Sequence, residues 1–157
     1  MTSLNFTTTG KTTHPKESEV QKACWEYLGL VRVGARPLQD YAYMVPNGTE
    51  LAGSMAGRAR YMASLKSQGF RTGVSDLVIA YPMHGYHGAY IELKRDRKAY
   101  GGPAAIASAI RNEQKTWLLL MREVNYWTAI AYGLDEFQES VRSYLANKTQ
   151  PPLPFEK

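Results

Sequence analysis

The stretch SDLVIAYPMHGYHGAYIELK, Ser75 to Lys94, decides how this chain folds. Two apolar runs, Asp76 to Tyr81 and Ala89 to Lys94, flank Pro82, Met83, His84, Gly85, Tyr86, His87 and Gly88, a segment rich in turn residues. The pattern predicts a β-hairpin with a longer loop. Alternate side chains of a strand share a face, so Glu92 and Lys94 point one way while Ile91 and Leu93 enter the opposite layer. With the hairpin centred near Gly85, residues whose numbers sum to roughly 170 lie opposite each other. Asp76 is then expected across from Lys94 and diagonal to Glu92.

Upstream of the hairpin, a helical period runs from about Lys16 to Val31, with Val20, Cys24, Tyr27, Leu28 and Val31 on one stripe. A strand follows around Tyr41 to Val45, ended by Pro46, Asn47 and Gly48. Residues 49–73 carry a mixed signal: the composition between Ser54 and Ser67 favours a helix, which Gly69 would stop. Downstream, Gly101, Gly102 and Pro103 break the chain before a helix over Asn112 to Arg122 and a strand from Val124 to Ala131. A last helix, Asp135 to Leu145, sets Phe137, Val141, Tyr144 and Leu145 on one face. Helix, three strands, helix, strand, helix is the order of an α/β domain with a mixed central sheet flanked by helices. We place this domain at residues 16–147, between a threonine-rich, disordered start (1–15) and a mobile proline-rich tail (148–157).

At 157 residues the chain has the size of one domain, able to bury roughly 70% of its unfolded surface. The single cysteine, Cys24, excludes an intramolecular disulfide and points to a reducing compartment. With neither a signal-peptide run nor a segment of membrane-spanning length, a cytoplasmic location and no membrane partner are expected. The net charge of +5 suits a polyanionic partner without demanding one. Its distribution says more. No acidic residue falls between Leu51 and Ser75, where Arg58, Arg60, Lys66 and Arg71 lie, and Arg95, Arg97 and Lys98 form a second basic cluster. These are candidate phosphate contacts, although each taken alone also fits an ordinary solvated surface. His14, His84 and His87 show no tetrahedral ligand set, which argues against zinc.

The hairpin thus gathers two carboxylates and an ammonium at one end of otherwise apolar strands. Adjacent carboxylates repel and are costly to desolvate unless a cation neutralises them. Magnesium prefers such hard oxygen ligands, keeps several waters, and can hold a phosphate while acidifying an attacking water. Lys94 would orient or deprotonate that water, or stabilise charge on the phosphate. These three residues alone leave a second reading open, in which Asp76 caps a turn and Glu92 and Lys94 form a strand-end ion pair. Two further polar residues lie on buried stripes. Glu17 precedes Val20 and Cys24 on the core-facing side of the first helix, where it could add a third acid or simply favour the helix dipole. Glu19 lies about 200 degrees round the helix from it. Gln114 leads the stripe Trp117, Leu118, Met121, so its amide is expected to face the sheet near Glu92 and Lys94.

Together these residues resemble the VRR-NUC (virus-type replication-repair nuclease) family of the PD-(D/E)XK nuclease superfamily. The resemblance runs from Glu17 to Leu145, through ESEVQKACWEYL (17–28), VPNG (45–48), LKSQGFRTGVSDL (65–77), YHGAYIELK (86–94) and EQKTWL (113–118). It implies a restriction-endonuclease-like αβββαβ core. It also implies Glu17, Asp76, Glu92 and the Leu93 carbonyl as ligands of Mg2+ or Mn2+, Lys94 as the catalytic lysine, and Gln114 as the family's helix glutamine. Asn47 looks like part of the turn common in phage-type members; with Arg58, Arg60, Lys66, Arg71 and Arg95 it makes the expected nucleic-acid contacts. Ser75 departs from the pattern, which has proline before the first aspartate; proline there supplies rigidity and no catalytic group. Stand-alone members are similar to Holliday junction resolvases, which implies metal-dependent, structure-selective DNA cleavage by a homodimer of phage or prophage origin. A non-catalytic DNA-binding module, or a nuclease preferring flaps, RNA or a specific sequence, is the alternative.

Overall fold

The computed structural model describes residues 14–46 and 53–156. In chain order the elements are α1 (Glu17–Leu30), β1 (Arg32–Val33), β2 (Arg36–Pro37), β3 (Ala42–Met44), α2 (Met55–Ser67), β4 (Leu77–Ile79), β5 (Ala89–Lys94), α3 (Pro103–Ser108), α4 (Asn112–Glu123), β6 (Trp127–Tyr132) and α5 (Gly133–Leu145). A four-stranded sheet runs β3-β4-β5-β6. Its first three strands are antiparallel, and β6 lies parallel to β5 after a crossover that contains α3 and α4. This is the expected mixed sheet flanked by helices. No helix among the described residues is long and apolar enough to cross a membrane.

The two faces of the sheet differ in chemistry because strand residues alternate. One face carries Leu77, Ile79, Ala89, Ile91, Leu93, Trp127, Ala129 and Ala131, which meet Val20, Cys24 and Leu28 of α1 and Phe137, Val141 and Tyr144 of α5 in a single apolar core. The other carries Val78, Tyr90, Glu92, Lys94 and Thr128 beneath α4, whose buried residues are Gln114 and Leu118. The candidate site residues of β5 therefore lie on the half-polar face.

The hairpin register differs from the expectation. His84 (φ 51°) and Gly85 (φ 87°) both adopt positive φ at the tip, and Met83 bridges Tyr86 across them, so the turn itself sits where the sequence places it. Between that bridge and the Ile79–Ala89 pair, however, residues 80–82 face only 87–88. The tip is centred between His84 and Gly85 instead of on Gly85, and the extra residue acts as a bulge; each moves the ladder by one residue, so that Leu77 pairs with Ile91 and Asp76 comes opposite Glu92 instead of Lys94. Gly88 is required beside this offset: a Cβ there would sit 2.5 Å from the Ile79 carbonyl oxygen.

Other differences are local. The small β1–β2 ribbon, which no pattern in the sequence announces, turns through Gly34, whose φ is +58°. The last strand starts at Trp127, not Val124, because Asn125 (φ 64°) turns the chain out of α4. A helix does form over Met55–Ser67, with Ser54 Oγ accepting from the Gly57 N–H at its start, yet none of its residues is buried. The tail expected to be mobile is docked. The Arg122 guanidinium donates to the Pro151 carbonyl at 2.9 Å and pairs with Glu156 at 2.6 Å, Gln150 accepts from the Thr128 N–H at 3.0 Å, and Leu153 is buried.

Candidate active site

Where β4 begins, β5 runs on past the first pair of the ladder, and Asp76 fills the gap. Its Oδ2 accepts the Leu93 N–H at 2.9 Å in place of a ladder partner. Within a strand the N–H and C=O of one residue point to the same neighbour, so the Leu93 carbonyl is directed to Asp76's side as well. Asp76 is 2% exposed and Glu92 is fully buried, and the two stand opposite each other.

Glu92 is held by one oxygen. Its Oε1 accepts from Lys94 Nζ at 2.7 Å and, through a short hydrogen bond, from Gln114 Nε2, while Oε2 is buried with no hydrogen-bond partner. Burial first, and the Asp76 carboxylate second, push the Glu92 carboxyl up to about 8 despite the opposing pull of Lys94. Burial alone would lower the Lys94 ammonium, but the charge and hydrogen bond of Glu92, with Glu17 and Asp76 beyond it, lift it above its ordinary value.

Gln114 is both a cap and a clamp. It is the third residue of α4, and its Oε1 accepts the Arg111 N–H at 2.9 Å while its Nε2 reaches Glu92. The sequence expectation that its amide faces the sheet near Glu92 holds, and what the amide meets is the carboxylate itself. Gly73 (φ 85°) lets the α2–β4 loop come against the start of α4: a Cβ there would be 2.6 Å from the Glu113 backbone.

Glu17 corrects one expectation. It is exposed in the first turn of α1, not core-facing, because the stripe of Val20 and Cys24 fixes a direction round the helix but not how far the sheet extends beneath it. It still stands within the field of Lys94. Glu19 is engaged elsewhere, its carboxylate accepting the Lys16 N–H at 2.6 Å as part of the helix cap. Among the described residues no group of three or more His, Cys, Asp or Glu side chains is gathered closely enough to hold an ion between them.

The donor set nevertheless fits a hard divalent cation. Two facing carboxylates, one with a buried oxygen lacking any partner, and an adjacent backbone carbonyl are oxygen donors of the kind magnesium and manganese take, with water completing the shell. Asp76, Glu92 and the Leu93 carbonyl are the residues that would hold it.

The expected nucleic-acid contacts scatter more widely. Arg58, Arg60 and Lys66 are exposed along α2, and the Arg71 guanidinium lies 5.0 Å from the Trp117 ring centroid. Arg95 is half-buried and donates to the Pro15 carbonyl at 3.2 Å. Asn47 lies outside the described residues. Tyr100 joins the site unannounced: burial, then Glu17, raise its hydroxyl's pKa against the opposing pull of Lys94 and Arg95. It falls in the stretch 95–111 for which the sequence offers no motif.

A mixed sheet with a carboxylate-bearing hairpin, a lysine two residues on and a crossover helix behind it is a restriction-endonuclease-like fold. The same fold is seen in a solved VRR_NUC domain protein, to which this chain is 24% identical, with a TM-score of 0.67 over 85% of this chain and 91% of that one. No family model and no curated protein matches the chain.

Proposed function

We propose that this protein is a VRR-NUC nuclease that hydrolyses DNA phosphodiester bonds with Mg2+ or Mn2+. The observation that carries the reading is the buried Asp76–Glu92 pair, with an unpartnered Glu92 oxygen and the Lys94 ammonium fixed beside it. A purely structural ion pair would not need a second buried carboxylate. When bound, the divalent ion supplies the positive charge that this pair lacks and polarises water and phosphate oxygens. The chain's own groups do the rest. Lys94 presents a cation to the charge developing on the phosphate, Gln114 keeps Glu92 from turning, and the Leu93 N–H orients Asp76. The basic surface of α2 and Arg71 supplies phosphate contacts outside the site.

We further propose selectivity for branched DNA and a homodimeric form, since symmetric cutting of a four-way junction needs two active sites related by a twofold axis. The test is a cleavage panel of single-stranded, duplex, flap, fork and four-way junction DNA with each metal, with Asp76→Ala and Lys94→Ala as controls and the mass in solution measured alongside. Metal-dependent cleavage absent from both variants is expected. Equal cleavage by wild type and variants would sink the reading.

A further inference from the structure

The same sheet face that carries Glu92 and Lys94 continues, one step back along β5, into an aromatic row. Tyr90 packs edge-on against Trp117 (centroids 5.5 Å apart) and Tyr126 (5.1 Å), and Tyr126 in turn meets His87 (5.6 Å). Tyr43 pairs with Val78, and Val78 with Tyr90, so Tyr43 belongs to the same transverse row of the sheet. This cluster is not a closed core. Tyr43 is 52% exposed, His87 is exposed, and Tyr90, Trp117 and Tyr126 are each half-buried. The Arg71 guanidinium lies over Trp117, at the end of a segment with four basic residues and no acid.

We propose that Tyr43, Tyr90 and Trp117, with Arg71, form a stacking platform for unpaired nucleobases of the DNA strand whose phosphate reaches Asp76 and Glu92. The proposal rests on the nuclease reading and sharpens its substrate class to DNA with a single-stranded segment beside the cleavage point. Two features favour this occupant over an apolar one. Aromatic faces interleaved with a cation match the alternating π-surface and charge of a single strand, and duplex bases, already stacked, present only edges. The row also adjoins the carboxylates on one strand and one face, so a strand lying on it can place a backbone phosphate at the site.

The experiment measures binding without cleavage, in EDTA, by fluorescence anisotropy of labelled DNA: an oligothymidine, a fork with single-stranded arms, and a blunt duplex of the same length. Tyr43→Ala, at an exposed position, and Tyr43→Phe and Trp117→Phe, which keep a ring, are compared with wild type. Oligothymidine with its bases replaced by abasic sites is the companion probe. Tyr43→Ala is expected to weaken oligothymidine and fork binding about 5- to 30-fold with duplex binding within about 2-fold. Trp117→Phe and Tyr43→Phe should retain most of the affinity, and abasic DNA should bind like the variant. Equal losses on all DNAs, or no loss on any, overturn the platform. Cleavage by the wild type is scored separately: selective binding without any metal-dependent cutting removes the nuclease reading and leaves the platform, and the converse removes the platform alone.

Discussion

Gln114 and Glu92 are joined by a hydrogen bond that takes one carboxylate oxygen out of play and leaves the other bare. The amide reaches Glu92 from α4, not from the strand that carries Glu92 and Lys94, so the crossover helix fixes which carboxylate oxygen is engaged and which is left without a hydrogen bond.

Gln114→Ala removes both the clamp on Glu92 and the cap on α4. Losing an orienting partner of this kind costs about 10- to 100-fold in activity, and losing the cap costs about 1 kcal/mol of stability. The loss should appear in kcat more than in KM, measured on the preferred DNA. Gln114→Glu should do worse than alanine in the absence of metal, because it adds a third carboxyl to a buried pair.

The metal-free protein should lose stability as pH rises. The folded Glu92 carboxyl titrates near 8 against an ordinary value of 4.5, so between those values the folded state holds a proton that the unfolded chain has released. Unfolding free energy then falls with pH across that window, by at most about 1.4 kcal/mol per unit, and levels off above it. Glu92→Gln should flatten the slope. Denaturant melts in EDTA from pH 5 to 9 read this directly; a stability that climbs through the window in wild type would contradict the burial of an unneutralised pair.

Metal binding and this proton compete for the same carboxylate. Adding Mg2+ or Mn2+ at pH 7 should release about one proton per ion bound, and Glu92→Gln should abolish that release. Calorimetry in two buffers of different ionisation enthalpy provides the count.

Gly73→Ala should act at a distance. The residue's φ of +85° disfavours any side chain, and the added Cβ would strike the Glu113 backbone, so the start of α4 must shift. A cost of about 2 kcal/mol is expected in a thermal melt, together with lost activity, because Gln114 is the next residue.

Neutralising α2 should change salt dependence more than chemistry. Arg58→Ala, Arg60→Ala and Lys66→Ala together should reduce the slope of log affinity against log salt by about 2 to 3 if all three meet phosphate, with kcat at saturating DNA little altered. An unchanged slope would assign those side chains to solvent.

Much of this was legible in the sequence where period and burial coincide. The apolar runs of β4 and β5 and the stripes of α1 and α5 lie against one core, so alternation and helical spacing alone identify them. What was illegible depended on depth and offset. The pairing of Asp76 with Glu92 turns on a tip centred just before Gly85 and one extra residue in the hairpin loop, which no composition rule locates. Glu17 shares a direction with Val20 but not its burial, since helical periodicity says nothing about where the sheet ends. Tyr100 comes near Lys94 only through folding of a segment with no periodic signal, and the docked tail is held by Arg122, a residue that reads as solvated surface.

The division of the site between a hairpin and a crossover helix bears on how the molecule assembles. Asp76 and Glu92 can meet as soon as β4 and β5 pair, but while that face stays open to water Glu92 has no reason to hold a proton. Burial comes when α4 closes over the strand and Gln114 engages. Proton uptake at neutral pH therefore clocks the docking of α4, and a pH-indicator trace during metal-free refolding should show it in the last resolved phase. Uptake complete before the helix docks would place the burial of Glu92 in the hairpin alone.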